Sequence, residues 1–394
     1  MPNTSSSHTI LGKGRIQVYA YDFARGDCTG IGVGYQTSIM NNQTATLPGI
    51  FEQEVYTSRI RTHVLSSGPV SGTPVIFIHG NASSATFWEE VMLKLPARYN
   101  AVALDLRGFG STDDKVIDAT RGFGEWVDDV HALMDTLGIS KAHVVGHSLG
   151  GGVVWGLVAA APERLLSATL VACVSPFGFG GTKDASGTPC ATDFAGSGGG
   201  VVSPEFARLL GEGDRGAGPS SPRTVMNSYY FKPPFVAGRE EALLSSVLTQ
   251  KVGPQRYPGD SVASTNWPNV GPGRFGPINA MSPKYVAGMA EKVIGASPKP
   301  PILWVHGTHD QVVGDNSLFD MGTLGMLGAV PGWPGHDVCP PQPMETQIRS
   351  VLAQYVAGGG RSTECALADT GHTPFIEKPD EFMAALVRQL DGEI

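Results

Sequence analysis

From Val75 onward, short apolar runs alternate with stretches whose apolar residues fall at helical spacing. Val75-Ile-Phe-Ile78, Ala101-Val-Ala-Leu104, His143-Val-Val145 and a run within Leu165–Val174 are too short for helices. They also lack the in–out alternation of a half-exposed strand, so they read as strands buried on both faces. Between them, Phe87–Leu95, Trp126–Leu137 and Leu149–Ala161 carry helical spacing. The rhythm resumes at Ile302-Leu-Trp-Val305 and Glu364-Cys-Ala-Leu367, and a last helix is expected over Asp380–Leu390. Strand–helix alternation of this kind predicts an α/β fold with a mostly parallel central sheet covered by helices.

Three segments fall outside the rhythm. Residues 51–66 read as two antiparallel strands joined by a tight turn, and residues 1–50 as an irregular N-terminal extension with one weak strand at Arg15–Tyr21. Residues 176–300 are dense in Gly, Pro and Ser, yet they contain Phe177, Phe179, Tyr229, Tyr230, Phe231, Phe235 and Trp267. So many aromatic groups are costly to leave in water, and a cap or lid is expected rather than a disordered linker. The expected organisation is therefore a core made of 51–175 and 301–394, a cap at 176–300, and a loop insertion at 314–343.

Composition narrows the function. With 41% hydrophobic and 16% charged residues and a formal charge of -8, the chain is ordinary globular material. It has no Lys/Arg cluster of the kind nucleic-acid binding requires, so no nucleic-acid partner is expected. No apolar stretch is long enough for a membrane span. The N-terminus lacks the charged and apolar regions of a signal peptide, so a cytoplasmic location is expected, with secretion left open should a leader have been removed. Cys28, Cys173, Cys190, Cys339 and Cys365 show no metal-site spacing. They read either as free, mostly buried thiols or as containing a Cys339–Cys365 disulfide. Nothing in the sequence sets an oligomeric state.

The strongest chemical signal is Gly146-His-Ser-Leu-Gly150. A serine hydroxyl becomes a useful nucleophile when a sharp strand-to-helix turn lifts it off the sheet beside a base, and this motif lies between an expected strand and an expected helix. Its glycines leave room for the turn and for close packing. The amide of Leu149 would open the helix, where it can stabilise an oxyanion. His79-Gly80-Asn81 follows another strand and offers the Asn81 amide as a second oxyanion donor. His79 reads as a loop-ordering residue or one on the substrate side. Asn81-Ala-Ser83 also matches a glycosylation sequon, which would fall inside the site. Val305-His-Gly-Thr-His-Asp310 sets a carboxylate just past a strand, and Asp369-Thr-Gly-His372 sets a histidine after the last one. The order Ser148, Asp310, His372 is the one this architecture uses. His306, His309, His336 and Asp337 are the competing residues nearby.

With His79-Gly80-Asn81, Asp105-Leu-Arg-Gly-Phe-Gly-Ser111, Gly146-His-Ser-Leu-Gly150, Gly307-Thr-His-Asp310 and Gly371-His372 in this order, the chain resembles the α/β-hydrolase superfamily, especially its capped esterase, lactonase and carbon–carbon hydrolase branch. The resemblance covers about 75–180 and 300–394. It implies oxyanion donors at Asn81 and Leu149. His-Gly-Asn also resembles epoxide hydrolases and haloalkane dehalogenases, but those families carry Asp where this chain has Ser148.

The expectation is a serine hydrolase acting on a carboxylic ester or lactone through an acyl-enzyme, with a fairly large apolar small-molecule substrate and neither metal nor organic cofactor. His79, Phe177, Phe179 and Trp333 are candidate substrate-side residues. A carbon–carbon bond hydrolase with the same triad, or a slow-turnover ligand-binding homologue, is the rival reading.

Overall fold

The computed structural model describes residues 46–394; the expected extension and its weak strand at Arg15–Tyr21 lie almost wholly outside the described residues. An eight-stranded sheet organises the described chain. Its strands, in chain order, are β1 (Phe51–Tyr56), β2 (Arg61–Ser67), β3 (Thr73–Ile78), β4 (Tyr99–Leu104), β5 (Ala142–His147), β6 (Leu165–Val171), β7 (Ile302–Gly307) and β8 (Ser362–Leu367). They lie side by side as β1-β2-β4-β3-β5-β6-β7-β8. The hairpin expected at 51–66 is present: β1 and β2 pair antiparallel, and β2 joins β4 antiparallel. From β4 to β8 all pairings are parallel.

Burial explains the apolar runs. Every residue of β5 and of β7 is buried, because helices cover both faces of the sheet centre. Helices α1 (Glu89–Lys94), α2 (Gly124–Thr136), α3 (Leu149–Ala160), α4 (Met344–Ala357) and α5 (Pro379–Leu390) belong to this layer. The small residues opening α3 let it lie close to the sheet. A Cβ on Gly150 would stand 2.4 Å from the carbonyl oxygen of Ile78.

The register brings the carboxyl ends of the central strands level. Ile78 pairs with Gly146, His147 with Val171, and Gly307 with Leu367. The loops after β3, β5, β7 and β8 therefore emerge at one edge of the sheet, where ligands of such folds bind.

Residues 176–300 form short pieces rather than one regular element. Among them are the helices Pro204–Gly211 and Glu240–Val247, and a five-residue π-helical turn at Met226–Tyr230. Helix Met289–Ile294 packs against α3 and α4, so the end of this stretch sits with the sheet layer. Within 314–343, helix Met321–Met326 is capped by Asp320, whose carboxylate accepts from the Thr323 amide at 3.0 Å. No helix among the described residues is long and apolar enough to cross a membrane.

Candidate active site

Ser148 occupies the turn between β5 and α3 with φ 53° and ψ -116°. This is backbone that a non-glycine residue holds only when its surroundings over-determine it. They do so here: the Ser148 amide donates to Val171 O at 2.9 Å, and its carbonyl accepts from the amides of Gly151 and Val174 at 3.0 and 3.2 Å. Gly80 of the neighbouring loop presses against the turn; a Cβ there would lie 3.0 Å from the Ser148 Cβ.

The loop after β7 folds back on its own carboxylate. Asp310 Oδ1 accepts from the amides of Val312 and Val313 at 2.8 and 3.0 Å, and Oδ2 meets His372 Nδ1 at 2.8 Å. The carboxylate is fully buried and the imidazole nearly so. The pair stands next to the Ser148 turn, because His147 Nε2 donates to the main-chain oxygen of His372 at 2.8 Å and the two rings lie 4.7 Å apart. Burial drives the His147 pKa well below its ordinary value, so this ring is neutral with Nδ1 bare. Among the described residues no hydrogen bond joins Ser148 Oγ to His372. A nucleophile–base contact often tightens only in the substrate complex.

Asn81 and Leu149 complete the cluster. Neither backbone amide donates to a protein acceptor among the described residues. His79, fully buried, accepts from the Leu106 amide on Nε2 at 3.0 Å and lies 2.7 Å from Gly80 O through Nδ1. Burial lowers its pKa, and both ring nitrogens are spent on ordering the loop that carries Asn81.

Residues 73–185 match the family model described as alpha/beta hydrolase fold. The chain has the α/β-hydrolase fold. A dihydrolipoyllysine-residue acetyltransferase component of an acetoin cleaving system from Cupriavidus necator is 43% identical to this hydrolase-fold chain over 106 residues, 27% of each protein. An uncharacterized carboxylesterase, Nap, from Bacillus subtilis is 32% identical over 119 residues, 30% of this chain and 39% of the relative. The match thus spans well under half the length of these relatives. In three dimensions, carboxylesterase CesB (YbfK) from Bacillus subtilis covers 88% of this chain and 93% of its own, with a TM-score of 0.53 and 17% identity.

The remaining candidate residues are spread more widely. Phe177 packs on Gly187, where an added Cβ would meet its ring at 2.3 Å, and Phe179 lies half-buried against the core. Trp333 donates from Nε1 to Cys339 O at 2.8 Å and lies over Gly325. His306 is held on β7 by Glu364 at 2.9 Å, and His309 is exposed, its Nδ1 3.1 Å from Thr308 Oγ1; neither competes for Asp310. A Cys339–Cys365 disulfide is absent: Cys173, Cys190, Cys339 and Cys365 are free thiols. Cys365 lies on β8, while the Cys339 thiol has Cys190 as its neighbour instead. The 314–343 segment leans on residues 176–190 rather than on the last strand, and this carries Cys339 away from β8.

Three groups at the site carry no motif signal. Tyr230, at the end of the π-helical turn, donates from its phenol to the carbonyls of Asn81 and Ala82, each at 3.2 Å. Its own carbonyl accepts from Thr373 Oγ1 at 2.6 Å, and its ring meets that of His372 edge-on at 6.3 Å. Glu377 bridges the amides of Lys232 and Gly371 at 2.8 and 2.9 Å, fastening the same turn to the histidine loop. Tyr257 is a buried neighbour of the Asn81 side chain, whose Oδ1 is buried and without a hydrogen-bond partner. The aromatic clustering in 176–300 was the one available hint, and it pointed to the segment without picking out Tyr230 or Tyr257.

Proposed function

We propose that the chain is a serine hydrolase that cleaves a carboxylic ester or lactone through an acyl-enzyme on Ser148. The observation that carries this reading is the buried Asp310–His372 pair, 2.8 Å apart, standing beside a serine held in a strained strand-to-helix turn. In the first step His372 Nε2 takes the Ser148 proton as Oγ attacks the carbonyl carbon. The amides of Asn81 and Leu149 hold the resulting oxyanion. Collapse transfers the proton from His372 to the leaving alcohol. Water then attacks the acyl-enzyme with His372 as base, releasing the acid and restoring Ser148. Asp310 fixes the imidazole tautomer and stabilises its charged form.

In this reading residues 176–300 act as a cap over the serine, and the 314–343 segment walls its far side. The aromatic content of the cap suits a fairly large apolar acyl or lactone group. The Bacillus subtilis carboxylesterase relative supports an ester substrate, while a 2-hydroxymuconate semialdehyde hydrolase from Pseudomonas, 34% identical over 116 residues, equally supports the carbon–carbon rival, which the substrate panel below separates.

The test is covalent labelling with an organophosphonate. Wild type is expected to label at Ser148, with Ser148→Ala unlabelled and still folded; labelling that persists in Ser148→Ala would refute the assignment. A substrate panel follows, with graded acyl esters, lactones and diketones. Turnover confined to the diketones would make the protein a carbon–carbon hydrolase. Stoichiometric labelling without turnover on any substrate would make it a ligand-binding homologue.

A further inference from the structure

We propose that Cys190 and Cys339 are a disulfide-forming pair that staples residues 176–190 to the 314–343 segment. Each cysteine sits on a segment already pinned to the other by side chains. Cys190 donates its amide to Gly181 O at 2.8 Å, closing the short turn bridged by Thr182 and Pro189. Cys339 is buried; its amide donates to Gly335 O at 3.0 Å and its carbonyl accepts from Trp333.

A buried amide relay joins the two turns. Gln342 Oε1 accepts from the Gly180 amide at 2.6 Å, and its Nε2 donates to Gly178 O at 3.1 Å and to Gln347 Oε1 at 2.9 Å. Gln347 Nε2 in turn donates to Thr182 Oγ1 at 2.9 Å. Asp320 Oδ2 receives the Gln342 amide at 3.1 Å. The backbone around both cysteines is thus fixed by groups other than sulfur, and the two free thiols are placed as neighbours. Ordering the chain for a cross-link is already complete in the reduced form.

The chemistry is thiol–disulfide exchange with a low-molecular-weight disulfide, such as oxidised glutathione, as oxidant. The Cys190 thiolate attacks one sulfur of that disulfide and expels one small thiolate, giving a mixed disulfide on Cys190. Cys339, deprotonated, then attacks Cys190 Sγ and expels the second small thiolate. Two protons and two electrons leave the pair, and one small disulfide becomes two thiols. Cys190 suits the first step because the neighbouring Cys339 thiol, with help from the Lys183 ammonium, holds its pKa below the ordinary thiol value, while Cys339 is pushed up. Cys190 is also the more exposed of the two. The bond would close a long loop that includes β7 and Asp310, and long loops gain most from closure.

The experiment uses the full chain, incubated with oxidised or reduced glutathione and mapped by differential alkylation and non-reducing peptide mass spectrometry. A Cys190–Cys339 linked peptide is expected after oxidation, with Cys173 still alkylated only after unfolding. The oxidised protein should also melt roughly 5–10 °C above the reduced one. That gap should vanish in Cys190→Ser and in Cys339→Ser and persist in Cys365→Ser. The proposal is overturned if Cys190 and Cys339 both stay alkylatable in folded, oxidised protein, or if either links to a different cysteine. Should Cys339→Ser fail to fold, Cys190→Ser alone decides, since its side chain is only half-buried.

Discussion

Replacing Asp310 by asparagine separates the charge of this side chain from its place in the fold. The oxygen of the new carboxamide can keep both hydrogen bonds that Oδ1 accepts from Val312 and Val313. Its nitrogen then faces His372 Nδ1 across 2.8 Å, a position now held by an acceptor. A donor there forces Nδ1 to accept, which places the ring proton on Nε2, towards Ser148. The base is then blocked by its own proton, and the imidazolium that forms in the transition state loses a buried counter-charge. In known triads this change lowers turnover about 10⁴-fold, which corresponds to about 5.4 kcal/mol of transition-state stabilisation. The fold should lose little, because no buried amide is orphaned. The assay is steady-state hydrolysis of a chromogenic ester beside a thermal melt: kcat/KM is expected to fall by about four decades with the melting temperature nearly unchanged. A variant within tenfold of wild type would refute the role given to Asp310. Equal losses of activity and of folding would show that the carboxylate serves the loop instead.

Gly80→Ala should be costly in both respects, since its Cβ would stand 2.8 Å from His147 Nδ1 and 3.0 Å from the Ser148 Cβ; overpacking of this kind costs about 1–3 kcal/mol by chemical denaturation, and kcat should fall more than KM rises. Wild-type stability and turnover in this variant would mean that the two loops are less tightly apposed than described. His63 predicts a pH dependence. Burial works against its charge, but hydrogen bonds to Asp105 and Glu52 outweigh that and raise its pKa to about 10. Because the folded value lies above the ordinary 6.5, the stabilisation is complete below that pH and is lost as pH climbs through about 10. Melting curves from pH 6 to 10 should therefore decline more steeply for wild type than for His63→Gln; parallel declines would remove His63 from the account.

The candidate constellation was legible because each member sits within a few residues of a buried strand, and strands of this kind announce themselves as apolar runs. Ser148, Asp310, His372, Asn81 and Leu149 all belong to that class, and the strand register then brings their loops to one edge. Tyr230 and Glu377 were not legible. Their contacts to Asn81, Ala82, Lys232 and Gly371 depend on how 226–232 folds across the sheet edge, and that stretch has no period to read. The cysteines failed for a related reason. Position along the chain put Cys339 and Cys365 together, whereas Gln342 and Asp320 draw the loop of Cys339 toward Gly180 and Cys190. Short-range pattern reports which residues belong to an element; it does not report which loops share a buried amide.

The Tyr230 tether also bears on how occupancy of the site would be measured. A substrate that enters by lifting residues 230–232 must break the phenol's bonds to Asn81 and Ala82, the Thr373 bond, and the Lys232–Glu377 bond. At about 0.5–1.5 kcal/mol each, the loss of these four bonds leaves the lifted form at roughly 3 × 10⁻² to 4 × 10⁻⁵ of the molecules. Apparent affinity is scaled down by that same fraction. A bulky substrate would then show a dissociation constant set as much by the rarity of the lifted form as by its own fit. A truncated ester small enough to slip past Tyr230 would escape this penalty, so size selectivity at this site would be written in populations before it is written in contacts.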